Sequence, residues 1–221
     1  MTGSGPRIAV LDYGIGNLRS AEKALQHVGA AARLVSDPAE VEAADAVVLP
    51  GVGAFGACAR ALRDSGLEAV ARAAIEAGVP FFGVCIGFQL LYEGSDENAD
   101  CADQDETGLG VFPGRVTALA PTVKHPQMQW NQLVPVGAGV GSDAGSETGP
   151  ASLRGLGPRP WVYFVHSFAP PVGAETVAVC DYGGPVAAIV ERGNLWGAQF
   201  HPEKSGRTGL ALLANFVALA A

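Results

Sequence analysis

Positive charge is scarce in this chain of 221 residues: 14 Lys and Arg stand against 22 Asp and Glu, a formal net charge of −8. A protein that grips a nucleic-acid backbone needs a basic face, so nucleic acid is not an expected partner. No apolar run approaches the roughly 18 residues of a membrane span, so no membrane is expected either. The opening Met1-Thr2-Gly3-Ser4-Gly5-Pro6-Arg7 holds no apolar stretch ahead of a small-residue cleavage site. Residues 1–6 read as a short flexible lead into the first strand. Cysteine is sparse: Cys58, Cys85, Cys101 and Cys180 form no C-x-x-C pair and no disulfide framework. Such usage fits a reducing cytoplasm. No His, Cys and Asp group has metal-ligand spacing, so no metal is expected.

What is present is apolar mass. Hydrophobic residues make up 48% and charged residues 16%, enough to bury a sizeable core in one domain spanning 1–221. Residues 7–12 form a short apolar run, followed by the glycine loop Tyr13-Gly14-Ile15-Gly16-Asn17. Leu18, Ala21, Leu25 and Val28 recur at helical spacing over 17–28, with Asn17 as N-cap. Strands are expected at 32–36, 46–49 and 79–84, the second stopped by Pro50-Gly51. A short helix capped by Asp37-Pro38 lies between the first two. Helices cover 55–77, broken at Gly66, and an apolar helix runs from Cys85 to about Tyr92. Alternating strands and helices predict an α/β fold with a mainly parallel sheet covered on both faces.

The second half changes character. Residues 95–106 carry six acidic side chains and read as a solvated loop. Residues 137–157 carry seven glycines and read as a mobile one. Short strands fit 115–119, 130–136, 161–165, 176–179, 186–190 and 195–200. Arg192-Gly193-Asn194 signals a hairpin between the last two. A closing helix fits 206–219.

The chemistry concentrates in two places. Gly83-Val84-Cys85-Ile86-Gly87 follows an apolar strand and opens a helix, the pattern of a nucleophile elbow with sulfur in place of oxygen. Flanking glycines let the backbone fold tightly around the nucleophile, and a helix N-terminus favours thiolate. An unperturbed thiol near pKa 8.5 is only about 3% ionised at pH 7, so Cys85 needs a partner. Phe200-His201-Pro202-Glu203 offers one. Proline holds His201 extended, and Glu203, two residues on, points to the same side. That is the order of nucleophile, base and orienting carboxylate. His27 belongs to a helix surface and His125 to a loop. His166 is the rival base, without a carboxylate two residues on. Pro50-Gly51-Val52-Gly53 follows the third strand; its glycines permit a peptide flip that aims the Val52 N–H at a developing oxyanion, with the Ile86 N–H as second donor.

The elbow, continued as Phe88-Gln89-Leu90-Leu91, together with His201-Pro202-Glu203 resembles the class I, triad-type glutamine amidotransferases. Asp12 to Leu18, Tyr92 to Ser95, Gly108 to Gly110, Tyr163 to Ser167 and Lys204-Ser205-Gly206 extend the resemblance over nearly the whole chain, toward the glutaminase subunits of imidazole glycerol phosphate synthases. The resemblance implies a flavodoxin-like fold without a cofactor, in which Cys85 attacks glutamine, His201 shuttles the proton and Glu203 orients His201. It implies glutamine contacts at Gly53, Gln89, Ser167 and Phe168. It also implies a heterodimer with a (β/α)₈-barrel cyclase, met through Asn17, Trp130 and Lys204. Ammonia would pass to that partner for synthesis of imidazole glycerol phosphate and an aminoimidazole carboxamide ribonucleotide. One departure is Gln129, where Met128-Gln129-Trp130-Asn131 replaces the usual glycine. The alternatives left open are a glutaminase serving another synthase, a free glutamine or γ-glutamyl hydrolase, and a non-catalytic module on the same fold.

Overall fold

The computed structural model describes residues 5–97, 106–136 and 149–221. The first half contains β1 (Arg7–Leu11), α1 (Leu18–His27), β2 (Ala31–Val35), α2 (Pro38–Glu42), β3 (Ala46–Gly51), α3 (Phe55–Asp64), α4 (Leu67–Glu76), β4 (Phe81–Cys85) and α5 (Ile86–Gln89). The second adds β5 (Tyr92–Ser95), β6 (Phe112–Ala118), β7 (Gln127–Gln132), β8 (Val134–Pro135), β9 (Trp161–His166), β10 (Phe168–Ala169), β11 (Thr176–Asp181), β12 (Pro185–Arg192), β13 (Leu195–Ala198) and α6 (Gly206–Leu219).

The central sheet runs in the order β2-β1-β3-β4-β13-β12-β11-β8. Neighbours from β2 to β13 are parallel, and β12, β11 and β8 continue it antiparallel. Strands β3 and β4 are buried along their whole length, as strands covered on both faces must be. Helix α1 packs on α6, while α3 packs on α4 and α4 on α2. After β1 the chain returns past it to build β3, β4 and then β13, so the strand order reverses beside β1. In open α/β sheets, sites form at such a reversal, outside the carboxyl ends of the strands.

The pairing of β4 with β13 is the step that matters for function. Phe82 on β4 and Trp196 on β13 both contact Phe216 of α6, with ring centroids 5.3 and 5.7 Å apart. All three side chains are fully buried, each contributing about 1.5–3 kcal/mol by removal from water. The register sets Ala198 beside Val84. One residue beyond Val84 is Cys85, and three beyond Ala198 is His201.

Several expectations need correction. The helix after Cys85 is one turn, not a run to Tyr92: the backbone N–H groups of Leu109, Val111 and Phe112 take the carbonyls of Leu90 and Leu91 and draw the chain into β5. Pro50 and Gly51 extend β3 rather than stop it. The missing proline N–H is tolerated because β1 pairs with β3 only as far as Val48. Asn17 precedes α1 but makes no side-chain cap, because its amide is engaged elsewhere. The ends of the acidic segment are structural: Ser95 is buried in β5, Glu106 is buried, and Glu97 accepts the Phe55 N–H. Residues 98–105, with Cys101, lie outside the described residues. So do 137–148, but Ala151–Leu153 is an ordered turn whose N–H groups rest on Glu191. The segment read as one strand at 130–136 is two, β7 and β8, paired to different neighbours. The Arg192–Leu195 hairpin and the Gly66 break, at φ +76°, are as expected.

Candidate active site

Cys85 ends β4 and opens α5 with φ +55° and ψ −111°. It is the one non-glycine residue of positive φ among those described. Such backbone costs about 1–3 kcal/mol and persists only where its surroundings impose it. Here close packing imposes it. A Cβ on Gly87 would run into the Leu49 carbonyl, and one on Gly83 would lie 2.7 Å from the Gly87 oxygen. Two glycines therefore let α5 press onto β3 and β4, which turns the thiol toward the carboxyl end of the sheet.

His201 arrives from the carboxyl end of β13 and lines the same cavity as Cys85, close enough for the two groups to interact electrostatically. Its Nδ1 lies 2.9 Å from Glu203 Oε1, both side chains at least 95% buried. Glu203 Oε1 also accepts the Asn17 amide at 3.2 Å. Burial works against charge on His201. Interactions with Cys85 and with Glu203 outweigh it and push the imidazole up to about 10. Burial likewise disfavours the Glu203 charge, but His201 and Asn17 hold its carboxyl below the usual range. The three expected side chains are thus brought together, in the order nucleophile, imidazole, carboxylate.

A cavity of about 380 Å³ opens on this group. Val52, Gly53, Ile86, Gln89, Ser167 and Phe168, all expected at the site, line it beside Cys85 and His201, and so does Lys204, expected at the partner contact. Gln89 is buried; its Nε2 donates to Phe168 O and Gln199 Oε1, and its Oε1 has no partner. Asn17 stands behind the cavity, against Glu203. Trp130 is half-exposed on the β7–β9 ribbon, edge-on to Tyr163 at 6.0 Å, with its ring above Gly206. Gln129 lies on the opposite ribbon face from Met128 and Trp130, so it does not interrupt their surface.

The N–H groups of Ile86 and Val52, expected as oxyanion donors, point in different directions. Val47 N–H donates to Pro80 O at 2.9 Å, and bonds of a parallel ladder recur at every second residue. Carried along the register to the Gly51–Cys85 step, this alternation assigns the Gly51 carbonyl to the Ile86 N–H. The trans peptide then turns the Val52 N–H the other way. One rotation of the Gly51–Val52 peptide frees the first donor and presents the second.

One acidic cavity residue escaped the sequence reading, and the rival base has another role. Glu97 also lines the cavity, half-buried; burial and the Glu106 charge push its carboxyl up, against the Phe55 N–H. Its acidic neighbours made it look like part of a solvated run, and no local pattern separates it from them. His166 is not a competing base. Burial lowers its pKa to about 4, so the ring is neutral. Its Nδ1 is 2.9 Å from Phe168 O, and its Nε2 is 3.0 Å from Gln127 Oε1. Both nitrogens are spent fixing the Ser167–Phe168 wall.

Comparison with known proteins agrees with this geometry. A family model for class-I glutamine amidotransferases matches residues 9–220. The imidazole glycerol phosphate synthase subunit HisH of Thermosynechococcus vestitus is 45% identical, covering 98% of each chain. The protein of the same name from Deinococcus radiodurans is 43% identical, covering 96% of this chain and 93% of its own. A solved glutamine amidotransferase superposes with a TM-score of 0.71 at 22% identity, covering 96% of this chain and 98% of its own. PurLQS of Thermotoga maritima superposes with a TM-score of 0.70 at 20% identity, covering 97% and 98%. The chain belongs to the class-I glutamine amidotransferase family, within the group of imidazole glycerol phosphate synthase HisH subunits.

Proposed function

We propose that this chain hydrolyses L-glutamine to glutamate and ammonia, with Cys85 as nucleophile, His201 as proton carrier and Glu203 as its orienting group. The observation that supports the reading is the register of β13 on β4, with Cys85 and His201 lining one cavity. The Cys85 thiolate adds to the carboxamide carbon of glutamine. The resulting oxyanion rests on the N–H groups of Ile86 and Val52 once the Gly51–Val52 peptide has turned. His201, charged and held by Glu203, gives its proton to the departing ammonia and leaves a thioester. His201 then takes a proton from water, which hydrolyses the thioester to glutamate. Glu97 and the open Gln89 Oε1 suit the α-ammonium group, while Gly53, Ser167 and Phe168 offer backbone to the rest of the amino acid.

In this reading the ammonia passes to the (β/α)₈-barrel cyclase subunit of imidazole glycerol phosphate synthase, in a cytoplasmic heterodimer of histidine biosynthesis. The products there are imidazole glycerol phosphate and an aminoimidazole carboxamide ribonucleotide. The ribbon face bearing Met128, Trp130 and Trp161, each about half-exposed or more, suits a large partner. It adjoins the mouth of the cavity through Val165 and Lys204. Asn17 and Lys204 are read as belonging to the same contact. Docking there favours the turned Gly51–Val52 peptide, which keeps hydrolysis low until an acceptor is present. A 100-fold activation needs about 2.7 kcal/mol, within the reach of one well-placed donor.

The test is to combine the purified chain with the cyclase and its substrate. Glutamine-dependent product is expected, with Cys85→Ala removing it while free ammonia still supports the cyclase. Loss of both activities together would refute the division of labour. Fast glutamine hydrolysis by the chain alone would favour a free hydrolase.

A further inference from the structure

We propose that Tyr13 and Cys58 are positioning residues that anchor the oxyanion turn, holding the carbonyls on either side of the Gly51–Val52 peptide so that this peptide alone rotates. The inference rests on the glutaminase reading and names how its oxyanion donors are kept in place. The Tyr13 hydroxyl, from the β1–α1 loop, donates to Pro50 O at 2.6 Å. The Cys58 thiol, on α3, donates to Val52 O at 3.2 Å. Those carbonyls belong to the two peptides flanking the one that must turn. With both planes fixed, rotation is confined to ψ of Gly51 and φ of Val52. That is a crankshaft movement, with neither end displaced.

Further observations support it. Tyr13 is 5% exposed and Cys58 fully buried, and neither lines the cavity. Burial pushes both groups up, so each keeps the proton it donates. The two side chains also lie close to each other, which brings a loop before α1 and a helix after β3 together around the turn. A Cβ on Gly51 would lie 3.0 Å from the Tyr13 hydroxyl, so the anchor and the glycine fit as a pair.

The experiment uses the complex with the cyclase and its ligand. It compares glutaminase kcat and KM for wild type, Tyr13→Phe, Cys58→Ala and Cys58→Ser. It also measures the rate at which iodoacetamide alkylates Cys85, a reaction that needs no oxyanion hole. Tyr13→Phe and Cys58→Ala are each expected to lower kcat about tenfold, part of the roughly 100-fold or more that a whole donor contributes. KM for glutamine stays within about twofold and the alkylation rate is unchanged. Cys58→Ser keeps a donor and retains at least about half of kcat. Unchanged kcat in both donor-deleted variants, a loss carried by KM, or Cys58→Ser as slow as Cys58→Ala would overturn the proposal. Should Cys58→Ala fail to fold, Tyr13→Phe and Cys58→Ser decide between the same outcomes. A wild-type complex without glutamine turnover would instead remove the glutaminase reading beneath it.

Discussion

The first half of the chain and the second half contribute different things to one site. The first, β1 to β4, supplies the sulfur and the oxyanion turn from strand ends that follow one another closely in sequence. The second supplies His201, Glu203 and the Ser167–Phe168 wall, from segments paired over long separations. Geometry that depends on close packing of glycines lies on the first side. Hydrogen-bonded polar side chains are found on both, Tyr13 and Cys58 on the first and His166 and Glu203 on the second.

Mutations on the two sides sharpen that contrast. The largest effect falls on the first: Cys85→Ala should abolish glutamine-dependent turnover, at least about 10³-fold, with ammonia-dependent turnover of the complex intact. Next is Glu203→Gln, expected to lower kcat about 100-fold with little change in KM, because the imidazole loses the charge that orients it. The same variant has a pH signature. In the native state His201 is raised to about 10, so its stabilisation is complete below about pH 6.5 and disappears as pH rises toward 10. Thermal melts should show the stability advantage of wild type over Glu203→Gln shrinking across that window. A constant gap would place the carboxylate elsewhere than on the imidazole.

A smaller effect is expected at the ribbon. Trp130→Ala should weaken cyclase affinity by about 2 kcal/mol, measured by calorimetry, with the melting temperature of the isolated chain nearly unchanged. Smallest is His166→Gln. His166 is held neutral with a pKa near 4, so wild type loses stability as pH falls from about 6.5 to 4, where the unfolded chain binds a proton and the native one does not. The variant should lose less over that interval. Equal slopes would mean that the ring is charged in the native state.

Much of the first half was legible because its signals are local. Gly83, Cys85 and Gly87 mark the bend by their spacing, and Gly66 marks the α3–α4 break by needing positive φ. His201 and Glu203 were legible as a pair by their spacing, but only His201 is extended: Pro202–Lys204 is a 3₁₀ turn, and that turn brings the carboxylate back onto the imidazole. That the pair meets Cys85 is a register, β13 on β4, and no short window encodes it. Asn17 looked like a helix cap because an amide before a helix usually is one; a carboxylate far along the chain takes it instead. Glu97 was lost among its acidic neighbours, since only the fold separates a carboxylate in a cavity from one in water. The helix expected after Cys85 failed for the same reason: its apolar side chains suit a helix, but later backbone N–H groups claim its carbonyls.

The most direct measurement is covalent labelling of the intact complex by a glutamine analogue carrying a diazoketone in place of the carboxamide. The account predicts one equivalent bound, at Cys85 by peptide mass, with labelling slowed sharply in His201→Ala. Label on another residue, or none while glutamine is still turned over, would contradict it.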